Sequence, residues 1–311
     1  MIAITYRIGR DMKLRDLEYL VAIAEERHFH KAAARCYVSQ PTLSGQLKKL
    51  EDELGVLLVE RTNRQVTMTE VGMAVTDQAR KVLYEAKVIN EISQAYQDPL
   101  KGDLHLGIIP TIAPYLLPVI MPALNKTFTK MKFWLYEYQT HILLEKLERG
   151  ELDCLILALP IAKHDFVEVD LFREPFRLAV RKGDALVKQK EITLGSLANQ
   201  EMLLLEEGHC LRGHVLDVCH LAGAKEGSQF QATSLETLRH MVGEGMGMTL
   251  MPELAVPDKT TKRDSIQYLQ FSDPKPNRRI GMLHRKNSYR AEAFANVSEL
   301  IRSELPVNIF Y

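Results

Sequence analysis

Cys210 and Cys219 stand nine positions apart in a stretch that also holds His209, Arg212, His214 and His220. Thiols at such a spacing can join as a disulfide, and thiols among imidazoles can hold a metal ion. Leu211, Val215, Val218 and Leu221 recur at helical spacing through the same stretch. On one straight helix, nine steps of roughly 1.5 Å separate the two cysteines by about 13 Å along the axis. A disulfide needs Cα atoms less than about 7 Å apart. This pair therefore cannot bridge without unwinding its own segment, which makes it a poor staple and a good switch. The metal alternative stays open, because Cys210 and His214 share a helix face, but the spacing matches no standard zinc pattern and no metal is the expectation.

The rest of the chain says where such a switch would sit. The sequence has 311 residues, 46% hydrophobic and 26% charged, as in a soluble globular protein with two or three domains. Four cysteines in this length do not make a secreted disulfide scaffold. No apolar run reaches the roughly 18 residues of a membrane span, and residues 1–11 lack the apolar core of a secretory signal. The expectation is a cytoplasmic protein with no membrane partner, where thiols rest reduced and a disulfide is regulatory. The net charge of zero names no partner.

Residues 12–69 read as a small helical head. Leu14, Leu17, Leu20, Val21 and Ala24 mark a first helix, and His30 to Cys36 a second. Ser39 is a good N-cap, Pro41 fits the first turn that follows, and Leu43, Leu47, Leu50 and Leu54 form the buried stripe of a third helix. Two short strands follow, Leu57 to Val59 and Val66 to Met68, with Asn63 to Gln65 as the turn between them. Helix, tight turn and helix with a polar outer face is the helix-turn-helix pattern. Arg15, Gln40, Pro41, Thr42, Ser44, Gln46 and Lys49 are candidates for contact with double-stranded DNA, and Arg61 and Arg64 for phosphate or minor-groove contact from the wing. Nine Lys and Arg against eight Asp and Glu between Met12 and Gln65 leave any basic surface to placement.

Val75, Ala79, Val82, Ala86, Ile89, Ser93 and Tyr96 alternate steps of four and three, a heptad seam over residues 70–98. It reads as a dimerisation helix. Beyond it, strand and helix patterns alternate: strands at Leu104 to Ile109, Lys132 to Tyr138 and Cys154 to Leu159, and helices at Ala113 to Phe128 and Ile142 to Gly150. A second set runs through Phe176 to Arg181, Glu201 to Leu205, the Cys210 segment, Leu235 to Gly245 and Met248 to Met251, and a strand at Arg278 to Arg285 returns to the first set. This order predicts α/β lobes with parallel strands. Their boundaries are placed at 99–172 with 277–303, and at 173–276.

Leu17-Glu18-Tyr19-Leu20, Phe29, Ala32-Ala33, Ser39-Gln40-Pro41-Thr42-Leu43-Ser44, Leu50-Glu51, Leu54-Gly55, Arg61, and Thr69 before Gly72 together resemble the head of LysR-type transcriptional regulators. The resemblance begins at Met12, so residues 1–11 are treated as a possible extra extension. It implies a winged helix-turn-helix DNA-binding domain and linker helix, followed by a two-lobed α/β regulatory domain like a periplasmic binding protein. Paired heads on a partly palindromic site are implied with it.

Gly208 to Arg212 with Cys219, Ala232 to Arg239, Pro110-Thr111 with Pro114 to Pro118, and Gln139-Thr140-His141 narrow the likeness to the peroxide-sensing members of that family. That resemblance implies attack of Cys210 on hydrogen peroxide, a sulfenic acid, and resolution by Cys219 to a disulfide that refolds the segment. A thiolate is the attacking form, so cations and donors should surround Cys210. Thr111, Thr140, His209, Arg212 and Arg278 are the candidates for that pocket. Implied partners are promoter DNA, hydrogen peroxide, RNA polymerase, a thioredoxin- or glutaredoxin-type reductant, and further copies of the chain as a homodimer or homotetramer, with no cofactor and no enzymatic turnover. Plainer roles stay open: Thr111 and Thr140 as helix caps, Cys219, Cys36 and Cys154 as core, and either Arg278 or Arg279 facing inward. An organic co-inducer in the cleft, or a thiol peroxidase, are the alternative functions.

Overall fold

The computed structural model describes residues 12–61, 66–95, 98, 100–161, 165–189, 191–257, 265–306 and 309. Residues 1–11, Arg64 and Tyr96 lie outside these, and of Arg61 only the backbone is described. The chain divides into one unit ending at Gln94 and another beginning at Ala95.

In the first unit, α1 (Leu14–Glu26), α2 (Phe29–Arg35) and α3 (Gln40–Leu54) pack around Leu20, Ile23, Ala32, Leu43, Leu47 and Leu50. Ser39 caps α3, its hydroxyl accepting from the Thr42 amide at 3.3 Å. Gly55 ends the helix in the left-handed region at φ 68°. A short antiparallel pair, β1 (Val59–Arg61) and β2 (Val66–Met68), forms the wing, and α4 (Glu70–Ala95) leaves it. The first strand is shorter than the apolar run that suggested it, because Leu57 and Leu58 form the approach to it.

That approach is fixed by two polar contacts. The buried Glu51 carboxylate accepts from the Leu58 and Val59 amides at 2.9 and 3.1 Å, tying α3 to the wing. Gly72 sits so close to the Leu58 carbonyl that an added Cβ would lie 2.0 Å from its oxygen. On α4, Val75 packs on the head core and Ala79 is buried, whereas Val82 and Ile89 are exposed, Ile89 at 69%.

The second unit runs β3 (Gly102–Ile108), α5 (Ala113–Thr127), β4 (Met131–Glu137), α6 (Thr140–Glu148), β5 (Cys154–Leu159) and β6 (Phe166–Arg181). It continues through β7 (Glu201–Leu205), α7 (Cys210–Ala222), β8 (Lys225–Ala232), α8 (Leu235–Gly243), β9 (Thr249–Pro252), β10 (Ile266–Gln270), β11 (Asn277–Arg285) and α9 (Ala291–Glu304). Strands pair in the order β10-β6-β11-β5-β3-β4, with β9 also on β6 and β7-β8 as a separate pair. The expected parallel pairing holds for β3 with β4 and β5, and for β7 with β8. It does not hold for β11, which is antiparallel to both β5 and β6. The chain goes out to a second lobe along β6 and comes back along β11, and an out-and-back pair is antiparallel by construction.

The 16-residue strand β6 serves two cores. Leu171 and Phe172 pack with β3, β5, α5 and α9, while Phe176 to Val180 pack with β7, α7, α8 and β9. No helix among the described residues is long and apolar enough to cross a membrane.

Replacing Glu51 by Leu should leave the Leu58 and Val59 amides buried without an acceptor, at about 1–3 kcal/mol for each. Hydrogen exchange should then speed up over residues 40–54 while residues 104–108 keep their protection.

Candidate functional site

The thiol segment begins where β7 ends. The chain turns through Gly208 at φ 94°, and a Cβ there would lie 2.5 Å from the Gln139 amide oxygen, so glycine lets this loop press against the start of α6. His209 takes the N-cap position of α7 without capping through its side chain. Its side chain is 5% exposed, bonds to the Thr233 backbone, and lies 3.9 Å from the Glu206 carboxylate. Burial pushes its pKa down despite Glu206. His209 is therefore a buried, neutral ring at the start of α7.

Cys210 is the first residue of α7, half-buried, and packs against the core built by β3, β5 and α5. Cys219, 3% exposed, belongs to the other core, with Leu211, Val215 and Val218. Burial, then Glu226, pushes the Cys219 thiol up. All four cysteines are free, Cys154 fully buried and Cys36 partly so. The helix between Cys210 and Cys219 is continuous. Nine rises of roughly 1.5 Å along it set the two cysteines about 13 Å apart on the helix axis.

Thr111 and Arg278 come together across the sequence. The Arg278 guanidinium donates to the Thr111 hydroxyl at 3.0 Å and to its carbonyl at 3.1 Å. It also donates to the Glu174 carboxylate at 2.7 Å, and both side chains of that pair are fully buried. Glu174 accepts from the Leu254 amide as well, at 2.8 Å. One buried ion pair thus links β6, β11, the end of β3 and the segment after β9. Arg279 faces outward and pairs with Asp170, so the inward arginine is Arg278.

Capping does not explain the two threonines. The N-cap of α5 is Ile112 and that of α6 is Gln139. The Thr140 hydroxyl is buried with no hydrogen-bond partner among the described residues. Arg212 does not join the group. Its guanidinium donates to the Leu205 carbonyl at 3.1 Å and to Glu226 at 2.6 Å. Two residues along a helix face opposite ways, so proximity in sequence to Cys210 misleads here, whereas four residues along returns to the same face. His214 is that residue. Its Nδ1 is buried without a partner among the described residues, and its pKa is lowered by burial first and by Arg278 second, against Asp217.

Gln139 against Gly208, Glu174 on Arg278, and His214 within reach of the Arg278 charge are neighbours of the candidate residues that sequence reasoning did not single out for this role. The i,i+4 step from Cys210 pointed to His214, but as a metal ligand. Among the described residues no cluster of three or more His, Cys, Asp or Glu is placed to hold a metal. A lone carboxylate in a long strand gave no signal for Glu174.

In the head, Gln40, Pro41, Thr42, Gln46 and Lys49 are exposed on α3, and Ser44 is half-buried on it. Arg15 donates to the Tyr19 hydroxyl at 3.0 Å and to the Cys36 carbonyl at 3.4 Å, which holds α1 against the end of α2.

Residues 14–73 match the family described as bacterial regulatory helix-turn-helix protein, lysR family, and residues 97–306 match the LysR substrate binding domain. The chain belongs to the LysR family of transcriptional regulators. Like the LysR-type regulators it resembles, it carries a DNA-binding head and a regulatory unit. It is 50% identical, over 94% of its length and 96% of the relative's, to the DNA-binding transcriptional dual regulator OxyR of Escherichia coli. It is 48% identical over 94% of its length, and 97% of the relative's, to the hydrogen peroxide-inducible genes activator of Haemophilus influenzae. A full-length OxyR variant from Pseudomonas aeruginosa has the same fold, with a TM-score of 0.77 and 39% identity over 94% of this chain and 95% of that one. These relatives are named as regulators of transcription and not as enzymes.

Removing one partner of a buried ion pair leaves the other charge uncompensated. Glu174→Ala should cost on the order of 3–5 kcal/mol, read as a lower urea midpoint of the regulatory unit.

Burial lowers the pKa of His209, His214 and His284 from the ordinary 6.5. In the unfolded chain these rings bind protons near pH 6.5, and in the folded chain only below that. Stability should be full above pH 6.5 and fall as pH drops below it toward the lowered values. Urea midpoints measured from pH 8 to pH 5 should show this slope, and a His209→Gln, His214→Gln variant should flatten it.

Proposed function

We propose that this chain is a peroxide-responsive transcription regulator in which hydrogen peroxide oxidises Cys210 and a Cys210–Cys219 disulfide carries the signal. The observation behind the reading is the seating of two thiols of one helix in two separate cores. The names of the relatives point the same way. Sulfur of Cys210 attacks one peroxide oxygen, the O–O bond breaks, and water leaves. The product is a sulfenic acid. The Cys219 thiol then displaces the sulfenic oxygen as a second water, and the disulfide forms. Thr111, Thr140, His209 and Arg278 wall the pocket, and the unpartnered Thr140 hydroxyl suits a small molecule that both donates and accepts. The second step requires α7 to open, and that opening is the signal. A thioredoxin- or glutaredoxin-type dithiol resets it.

The output side follows from the head. Gln40, Thr42, Ser44 and Gln46 read base edges from α3, and Arg15, Lys49, Arg61 and Arg64 meet phosphate. Val82 and Ile89, exposed on α4 in the single chain, are the seam of a homodimer, with a tetramer as the larger assembly. Promoter DNA and RNA polymerase are the partners whose contacts the switch alters, in a cytoplasm that keeps the resting thiols reduced.

A second reading, an organic co-inducer, has one observation behind it. A cavity of about 840 Å³ is lined by Tyr115, Val119, Arg177, Glu253, Gln267 and Tyr268, among others. Its Arg177 is already held by Glu253 at 2.5 and 2.8 Å, which leaves little charge for an acid ligand, and no cysteine lines it.

Mass spectrometry after brief low-micromolar peroxide should show one Cys210–Cys219 bond. Cys210→Ser should abolish a redox-dependent footprint on promoter DNA, and Cys219→Ser should accumulate the sulfenic acid. A normal response from Cys210→Ser would refute the redox reading.

A further inference from the structure

Beside the pocket sits a group that the redox reading does not use. His214 lies four residues after Cys210 on α7, which brings their Cβ atoms to about 5–6 Å. Helical side chains lean toward the N-terminus, which turns the imidazole toward the Cys210 end of α7. Its Nδ1 is buried and has no hydrogen-bond partner among the described residues. The Arg278 guanidinium, which holds Thr111 and Glu174, is near enough to act on the ring. From α7 itself, Asp217 acts in the opposite sense. Burial and Arg278 together keep the ring neutral, with a lone pair free to accept a proton.

We propose that His214 is the proton carrier of the peroxide step. This rests on the reading of Cys210 as the peroxide-reactive thiol. The ring takes the Cys210 thiol proton. The thiolate sulfur forms a bond to one peroxide oxygen, which keeps its own hydrogen, and the O–O electron pair leaves on the other oxygen as hydroxide. The imidazolium returns its proton to that hydroxide. Sulfur loses two electrons, peroxide is reduced to water, and the ring ends neutral. The guanidinium of Arg278 disfavours a standing imidazolium, so the proton stays on the ring only briefly.

The test follows the loss of alkylatable Cys210 in the full chain with peroxide at pH 7.5, in wild type, His214→Gln and His214→Ala. A positioned proton carrier contributes at least about 10²-fold, so both variants should react about a hundredfold more slowly, and added imidazole should restore much of the His214→Ala rate. Variants within threefold of wild type would overturn the proposal. So would a slow His214→Ala that imidazole does not restore, since that result assigns the ring to packing. If Cys210 of the wild-type chain were not consumed at all, the failure would lie with the peroxide reading.

Discussion

One rigid segment sets the terms for everything else: α7 is a continuous helix that keeps two sulfurs in different hydrophobic cores. Leu211, Val215 and Val218 anchor it, each buried side chain contributing roughly 1.5–3 kcal/mol. A disulfide between Cys210 and Cys219 is incompatible with those anchors staying in place. The reduced form is thus held by ordinary packing, and the bond that would oppose it is covalent. Two arrangements that exclude each other are what a two-state element requires.

The surrounding fold makes the first of those sulfurs addressable. β6 crosses from one core to the other, and β11 returns beside it. At that crossing Arg278 is fixed by Glu174 and by Thr111. The ion pair belongs to the frame, and its charge is locally balanced. What it gives the pocket is a rigid rim and a field that disfavours extra positive charge. Burial keeps the imidazoles of His209 and His214 neutral, and at His214 the Arg278 charge adds to it. Tyr115 of α5 donates to Glu236 of α8 at 2.8 Å, a second tie between α5 and the core of α7 and α8.

Local chemistry was readable from the chain, and long-range geometry was not. Ser39, Pro41 and Gly55 punctuate α3 by capping and backbone rules that act over a few residues, so the head could be traced from sequence. The apolar stripe of α7 was readable for the same reason at Leu211, Val215 and Val218, whereas Leu221, read onto the same stripe, is exposed. By contrast, β8 and β10 lack a clean apolar alternation and went unread, as did the amphipathic α9. Arg278 and Arg279 are equivalent by sequence, and only a carboxylate 104 residues away decides between them. Arg212 looked like a site residue because it is near Cys210 in sequence, yet the helix turns it toward Glu226. His214 was noticed for its spacing and weighed only within a metal set that was not the expectation, because the orphaned nitrogen that defines its environment exists only once the lobes are packed.

The most direct test of the central claim is amide hydrogen exchange across residues 210–222 in the reduced chain and in the chain carrying the Cys210–Cys219 bond. The account predicts slow exchange in the reduced helix and loss of that protection once the bond has formed. Equal protection in both states would mean that the sulfurs meet without the helix opening, and the packing conflict on which the signal depends would not exist.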